Sequence, residues 1–264
     1  MEQTTGLRRT VIDQFYTSPE VARSCVEILR RFAPDDRPWI EPSAGTGVFL
    51  GLVPNAIGYD IDPKHTRIRR ADFMDVPVPH GCVVFGNPPF GRQSTLARAF
   101  IRHASENAEW IAFILPRSFT KPSMQKAFPP CFHLLHSSDL PRNSFVVNDL
   151  PYDVPCVFQV WKREDIPRSV EEPPRPIGFA FVKKTDPHSF AFRRVGGTAG
   201  RCSLPSDQSV QTHYFIRLED ETKTEHILAA SMTHTFPTNT TGPRSLSKQE
   251  ATEFLHACIT NPTT

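Results

Sequence analysis

"PWIEPSAGTGVFL", residues 38–50, is the stretch from which the rest of the chain can be ordered. Trp39 and Ile40 form an apolar step that ends on Glu41, as a short buried strand does. Gly45 and Gly47 then give the backbone the freedom of a tight turn that passes close to a ligand, and the apolar run from Val48 reads as a helix start. A dinucleotide turn wants a third glycine at position 50, where Leu50 stands, so a diphosphate site is disfavoured. Three more strands follow in order. "NAIGYDID" (55–62) carries Asp60, placed to accept hydrogen bonds from ribose hydroxyls. "IRRADF" (68–73) closes on Asp72 and Phe73, an acceptor for an exocyclic amine and a ring to cover a purine. "CVVFGN" (82–87) ends at the rim "NPPF", where Pro88 and Pro89 cannot donate to a ladder. All these groups fall at the carboxyl ends of successive strands, where open parallel sheets bind ligands.

Working outward, "SPEVARSCVEILRRF" (18–32) reads as a helix with Ser18 as N-cap, Pro19 at its first position, and Val21, Val26, Ile28 and Leu29 inward. "GRQSTLARAFIRHASENA" (91–108) has helical period, with Leu96, Ala99 and Phe100 as the expected inner stripe. "EWIAFILP" (109–116), "CFHLLHSSDL" (131–140) and "CVFQVWKR" (156–163) read as further strands. This alternation predicts an α/β parallel sheet with crossover helices. Four prolines in "DIPRSVEEPPRP" (165–176) mark a linker between domains at 1–164 and 177–264. Beyond it, "IGFAFVKK", "SFAFRRV" and "VQTHYFIRL" predict a small antiparallel sheet, and Ser247 with Glu250 forms a capping-box pattern before a last helix.

At 264 residues the chain has room for one large core plus an appendage, and its net charge of +2 does not by itself mark a nucleic-acid binder. Six scattered cysteines without a C-x-x-C pair disfavour a disulfide framework or a zinc ribbon, so no metal is expected. In "CFHLLH" (131–136), Cys131 and His133 share a strand face that His136 does not. The "NTT" at 239–241 fits a glycosylation acceptor, but no secretory signal accompanies it. The longest clean apolar run, "WIAFIL" (110–115), is too short to span a bilayer. The expectation is an intracellular protein, cytoplasmic or nuclear, with no membrane partner.

These motifs together resemble the class I S-adenosylmethionine-dependent methyltransferases. Within them the chain is similar to the adenine-N6 amino-methyltransferases that carry Asn-Pro-Pro-Phe or Asn-Pro-Pro-Tyr. The resemblance spans roughly residues 13–162 and implies a Rossmann-like seven-stranded class I methyltransferase sheet with a small, mostly β C-terminal domain. It also implies S-adenosyl-L-methionine as cofactor. Phe15, Tyr16 and Thr17 look like the cofactor-clasping motif. Glu41, Pro42, Ser43, Ala44, Gly45, Gly47 and Phe49 look like the methionine-side loop. Asp60 and Ile61 match the ribose motif, and Asp72 and Phe73 the adenine motif. Asn87, Pro88, Pro89 and Phe90 match the catalytic tetrapeptide, with Asn87 also beside the cofactor. The order, clasp first and extra domain last, is like the gamma arrangement of DNA adenine methyltransferases. Cap-adenosine methyltransferases share the tetrapeptide, so DNA and RNA both stay open.

The chemistry explains the rim. An adenine N6 is a poor nucleophile because its lone pair is delocalised, and two acceptors aimed at its N–H bonds favour the pyramidal amine that attacks. The resemblance assigns these to the Asn87 side-chain oxygen and the Pro88 carbonyl, with Phe90 stacking on an extruded base. A second aromatic is expected from 142–161: Phe145 is the candidate and Tyr152 the substitute, unless Phe145 packs under the sheet. Lys183, Lys184, Arg193 and Arg194 belong to a basic segment (175–201) interleaved with phenylalanines that read as packing, and are candidates for phosphate contact. "PKHTRIRR" (63–70) is a second basic stretch. The expected partner is nucleic acid, DNA or RNA, single-stranded or with an extruded adenine. The small C-terminal part makes a helper subunit or a short accessible target the expectation. A protein-glutamine methyltransferase and an inactive nucleic-acid-binding subunit are the alternatives.

Overall fold

The computed structural model describes residues 15–170, 172–238, 240 and 243–260. Residues 1–14 and 261–264 of the expected domains, and two positions of the "NTT" sequon, lie outside them. The described residues up to Val170 form one compact unit and those after it a second.

In chain order the first unit contains β1 (Tyr16–Thr17), α1 (Pro19–Leu29), β2 (Trp39–Glu41), β3 (Ile57–Asp60), β4 (Ile68–Arg70), β5 (Val83–Gly86), α2 (Thr95–Ala104) and β6 (Trp110–Pro116). It continues with α3 (Pro122–Gln125), β7 (Phe132–Asp139), β8 (Phe145–Val147), β9 (Leu150–Tyr152) and β10 (Cys156–Arg163). Seven of these strands make one sheet, ordered β4-β3-β2-β5-β6-β10-β7. Its pairings are parallel except that β10 runs against both neighbours. This is the Rossmann-like mixed sheet of class I methyltransferases. Strand order reverses between β2 and β5, so chain leaving their carboxyl ends diverges and opens a crevice there.

The central strands are unbroken apolar runs because both faces are covered: every residue of β5 and β6 is buried. On one face Trp39, Phe85, Ile114 and Phe158 pack against Val21, Cys25 and Leu29 of α1. On the other, Ile40, Val84, Ile111 and Phe113 pack against Ala97, Phe100, Ile101 and Ala104 of α2. Ser18 caps α1 as expected, its Oγ accepting from the Val21 amide at 3.4 Å.

Three local expectations are corrected. The core stripe of α2 is Ala97, Phe100, Ile101 and Ala104, while Leu96 stands 47% exposed. The helix expected after the glycine turn does not form. Residues 48–52 are turns carrying isolated i→i+4 bonds, Gly51 to Gly47 and Val53 to Phe49, and Gly51 and Pro54 stop propagation. The small sheet β1-β8-β9 was not anticipated. Its hairpin turns at Asn148 and Asp149, both at positive φ (50° and 60°), a two-residue loop whose twist matches its strands.

The second unit holds β11 (Phe179–Val182), β12 (Phe190–Arg193), β13 (Cys202–Ser203), β14 (His213–Leu218), α4 (Thr224–Thr233) and α5 (Lys248–Thr260). Its sheet, β11-β14-β12-β13, is antiparallel throughout. Phe179, Phe190, Phe192 and Ile216 pack with Phe254 and Leu255 of α5, so the interleaved phenylalanines are core. The capping box closes both ways: the Ser247 amide donates to Glu250 Oε2 at 2.8 Å and the Glu250 amide to Ser247 Oγ at 3.2 Å. Among the described residues no helix is long and apolar enough to cross a membrane.

Candidate functional site

A cavity of about 250 Å³ opens where β2 and β5 part. The β1 arm contributes Phe15, Tyr16 and Thr17 to its wall, and the loop after β2 contributes Glu41 to Gly45 with Phe49. Asp60 and Ile61, Asp72 and Phe73, and Asn87 to Phe90 complete the side reached from the other strands. Leu96, Ala99 and Phe100 of α2 and Met74 also line it, and sequence reasoning did not assign them to the site. The signal for α2 was present in the period, but the stripe read as core faces the cavity at Leu96 and Ala99.

Gly45 sits at φ +51°, and a Cβ there would lie 3.0 Å from the Tyr16 ring; the arm closes on the loop because that atom is missing. Gly47, expected at the ligand, does not line the cavity. Its φ of +82° serves the turn, facing His65. Asp60 does more than present lone pairs: Oδ2 accepts from the Gly45 amide at 2.7 Å and Oδ1 from the Asp62 amide at 2.8 Å. Each oxygen keeps acceptor capacity for a ligand hydroxyl. Asp72 Oδ1 accepts from the Met74 amide at 2.9 Å, capping a short 3₁₀ turn. Phe73 is 1% exposed and packs against Phe100 at 5.3 Å, so it is a buried part of the wall rather than an open platform. The exposed apolar groups in the wall are Ile61, Leu96 and Met74.

Two buried polar atoms of the wall have no partner among the described residues: Thr17 Oγ1 and Glu41 Oε2. Burial, reinforced by the nearby Asp60 charge, holds the Glu41 carboxyl well above the usual carboxylate range, although the Leu50 amide donates to it.

Asn87 is oriented by chemistry that leaves no choice. Its Nδ2 donates to the Phe15 carbonyl at 2.8 Å, and since a carbonyl only accepts, the amide nitrogen must face Phe15. Oδ1 is the other end, and no described group donates to it. Ser43 Oγ fixes the same residue's backbone carbonyl at 2.9 Å. Pro88 is restrained by its own ring and by the proline after it, which sets its carbonyl direction.

Phe145 does not reach the cavity. It is fully buried, paired with Thr17 and packed 6.1 Å from Phe15, so its ring belongs to the core beneath the arm. Tyr152, also outside the wall, is half-exposed and stacks on Phe15 with ring centroids 5.3 Å apart and planes 12° from parallel. Three of the four candidate cations of the second unit have partners of their own. Lys184 Nζ meets Asp207 at 2.6 Å, Arg193 Nε donates to the Val195 carbonyl at 3.2 Å, and the Arg194 guanidinium lies 5.1 Å over the Tyr214 ring. Lys183 is exposed.

No protein-family model and no curated sequence matches this chain. Among solved structures, the 23S rRNA methyltransferase ErmE is similar at 18% identity and a TM-score of 0.43, over 58% of this chain and 71% of that one. The magnesium protoporphyrin IX methyltransferase from Synechocystis PCC 6803 is similar at 11% identity and a TM-score of 0.40, over 55% and 79%. The type I restriction enzyme EcoKI M protein is similar at 14% and 0.45, over 60% of this chain; the match spans 45% of that subunit. The fold rests on the strand order above.

Proposed function

We propose that this chain is an S-adenosylmethionine-dependent methyltransferase that modifies the N6 amine of adenine in a nucleic acid. The cavity at the carboxyl ends of β2 and β5 supports this reading, because its wall carries groups suited to that molecule. Thr17 Oγ1 and Glu41 Oε2 are buried polar atoms awaiting partners, as an amino-acid end would supply. The spare lone pairs of Asp60 suit ribose hydroxyls, and Gly45 lets the arm close. When bound, the cofactor supplies a methyl group on a sulfonium, an electrophile that needs only a positioned nucleophile.

The chain's own task is then to make a delocalised amine nucleophilic. Asn87 Oδ1 and the Pro88 carbonyl accept the two N–H bonds of the target amine, drawing its lone pair out of conjugation. Both acceptors are fixed before the base arrives, so no reorganisation accompanies the reaction. Phe90, on the same wall and 8% exposed, is the ring that would meet the base at its uncovered edge. Its carbonyl accepts from the Leu96 and Ala97 amides at 3.2 and 3.3 Å, which holds the tetrapeptide onto α2. In place of Phe145, the half-exposed Tyr152 stacked on Phe15 is the second aromatic of the proposal.

The observation that carries this reading is the Asn87 anchor: an amide in the cavity wall whose nitrogen is committed, leaving its oxygen as the acceptor. The test is incubation with methyl-labelled cofactor and oligonucleotides of DNA, single-stranded RNA and capped RNA, followed by nucleoside mass spectrometry. N6-methyladenosine or its deoxy form is the expected product. Label on protein glutamine instead would replace this substrate with the related amide.

A further inference from the structure

Helix α2 leaves the tetrapeptide through a strained turn. Gly91, Gln93 and Ser94 are all at positive φ (67°, 52° and 59°), which swings the helix so that Leu96 and Ala99 form cavity wall. The same geometry turns Arg98 and Arg102 outward. They are four residues apart and make one ridge, Arg92 precedes the helix in the turn, and all three are exposed. Residues 91–105 contain no Asp or Glu. The nearest acid along the chain, Glu106, lies 3.6 Å from His103. None of the three guanidinium groups has a hydrogen-bond or ion-pair partner among the described residues, whereas Arg30, Arg37 and Arg117 each meet a carboxylate.

We propose that this ridge, Arg98 and Arg102 with Arg92, is the surface that grips the phosphates of a single nucleic-acid strand whose target base enters the cavity. The inference rests on the adenine reading and adds where the strand runs: over the catalytic unit, along α2. Guanidinium groups suit phosphate because their planar donors bind it bidentately. The helix end itself is not the anion site, since its first amides are committed: Thr95 to the Arg92 carbonyl, and Leu96 and Ala97 to the Phe90 carbonyl. Those last two bonds have a second effect. They tie the ridge to the catalytic tetrapeptide, so the phosphate grip and the base-binding acceptors keep a fixed separation.

The experiment measures binding of a fluorescein-labelled, adenine-containing 12-nucleotide single-stranded RNA and its DNA equivalent across a salt series. It compares the wild-type chain, R98E/R102E, and R23E/R31E, an equal charge change on exposed arginines in and just beyond α1. Thermal melting and cofactor titration confirm that each variant is folded. The ridge predicts that R98E/R102E binds about tenfold or more weakly, with a salt slope shallower by about 0.7 for each phosphate it no longer neutralises. R23E/R31E stays near wild type. Equal weakening in both double variants, or wild-type affinity and slope in R98E/R102E, overturns the ridge alone. A wild-type chain that binds neither oligonucleotide overturns the ridge and the nucleic-acid reading together.

Discussion

Asn87 is held by a bond from its own nitrogen, and that bond decides what its oxygen can do. Asn87→Ala removes one of the two acceptors proposed for the amine, so turnover is expected to fall by about 10²–10³, the scale set by removing one preorganised electrostatic group. Cofactor affinity by titration calorimetry stays within a few-fold, because the rest of the cavity wall is intact. Glu41 supplies a second test. Its carboxyl is raised in the folded chain by burial, so the folded state holds a proton more tightly than the unfolded chain, whose value is near 4.5. The favourable contribution is complete below that value and is lost as pH rises toward the folded pKa. Glu41→Gln keeps the neutral form, so its melting temperature relative to wild type, both without ligand, is expected to climb with pH from about 4.5 upward. A difference that stays flat with pH would remove the assignment. That Asn87 to Phe90 and Asp60 line the cavity was foreseeable because each stands where an apolar strand run ends. Phe145 was not: a phenylalanine near solvent and one beneath a sheet look alike in sequence, and only the pairing with Thr17 separates them.

At the scale of elements, the central strands were legible because β5 and β6 are buried on both faces and therefore read as unbroken apolar runs. Short pieces were not legible. β1 has two residues and exists through its pairing with Val146 and Phe145, far along the chain. The turn into α2 is likewise a tertiary product, since neither Gln93 nor Ser94 prefers a left-handed backbone. Gln93 is exposed, so Gln93→Gly relieves strain without removing packing and is expected to stabilise the first unit by about 1 kcal/mol, seen in denaturant unfolding. Gly91→Ala acts oppositely. A Cβ there would meet Leu96 Cγ at 2.7 Å with φ at +67°, so both stability and the cavity wall suffer. In the second unit, Ser247→Ala opens the capping box of α5 and is expected to cost about 1 kcal/mol.

Among the described residues the larger apolar clusters fall into separate cores, two flanking the seven-stranded sheet and one against the β11-β14-β12-β13 sheet. Scanning calorimetry is expected to resolve two transitions. Cofactor at about a hundred times its dissociation constant stabilises the first unit by about 2.7 kcal/mol, raising its transition and leaving the other in place. Ser247→Ala moves only the other. The change of composition at 165–176 coincides with the boundary between the two units at Val170, whereas α4 escaped notice because its apolar residues mark no clean stripe. Within the first unit one hydrogen bond joins the two halves of the proposed chemistry. The peptide carbonyl that aims Asn87 belongs to Phe15, next to the arm residues that line the cavity with it. An arm that has not settled leaves the amide unaimed, and a base arriving early finds nothing to hold it. Steady-state kinetics should therefore show a compulsory sequence in which the methyl source loads first and the acceptor follows.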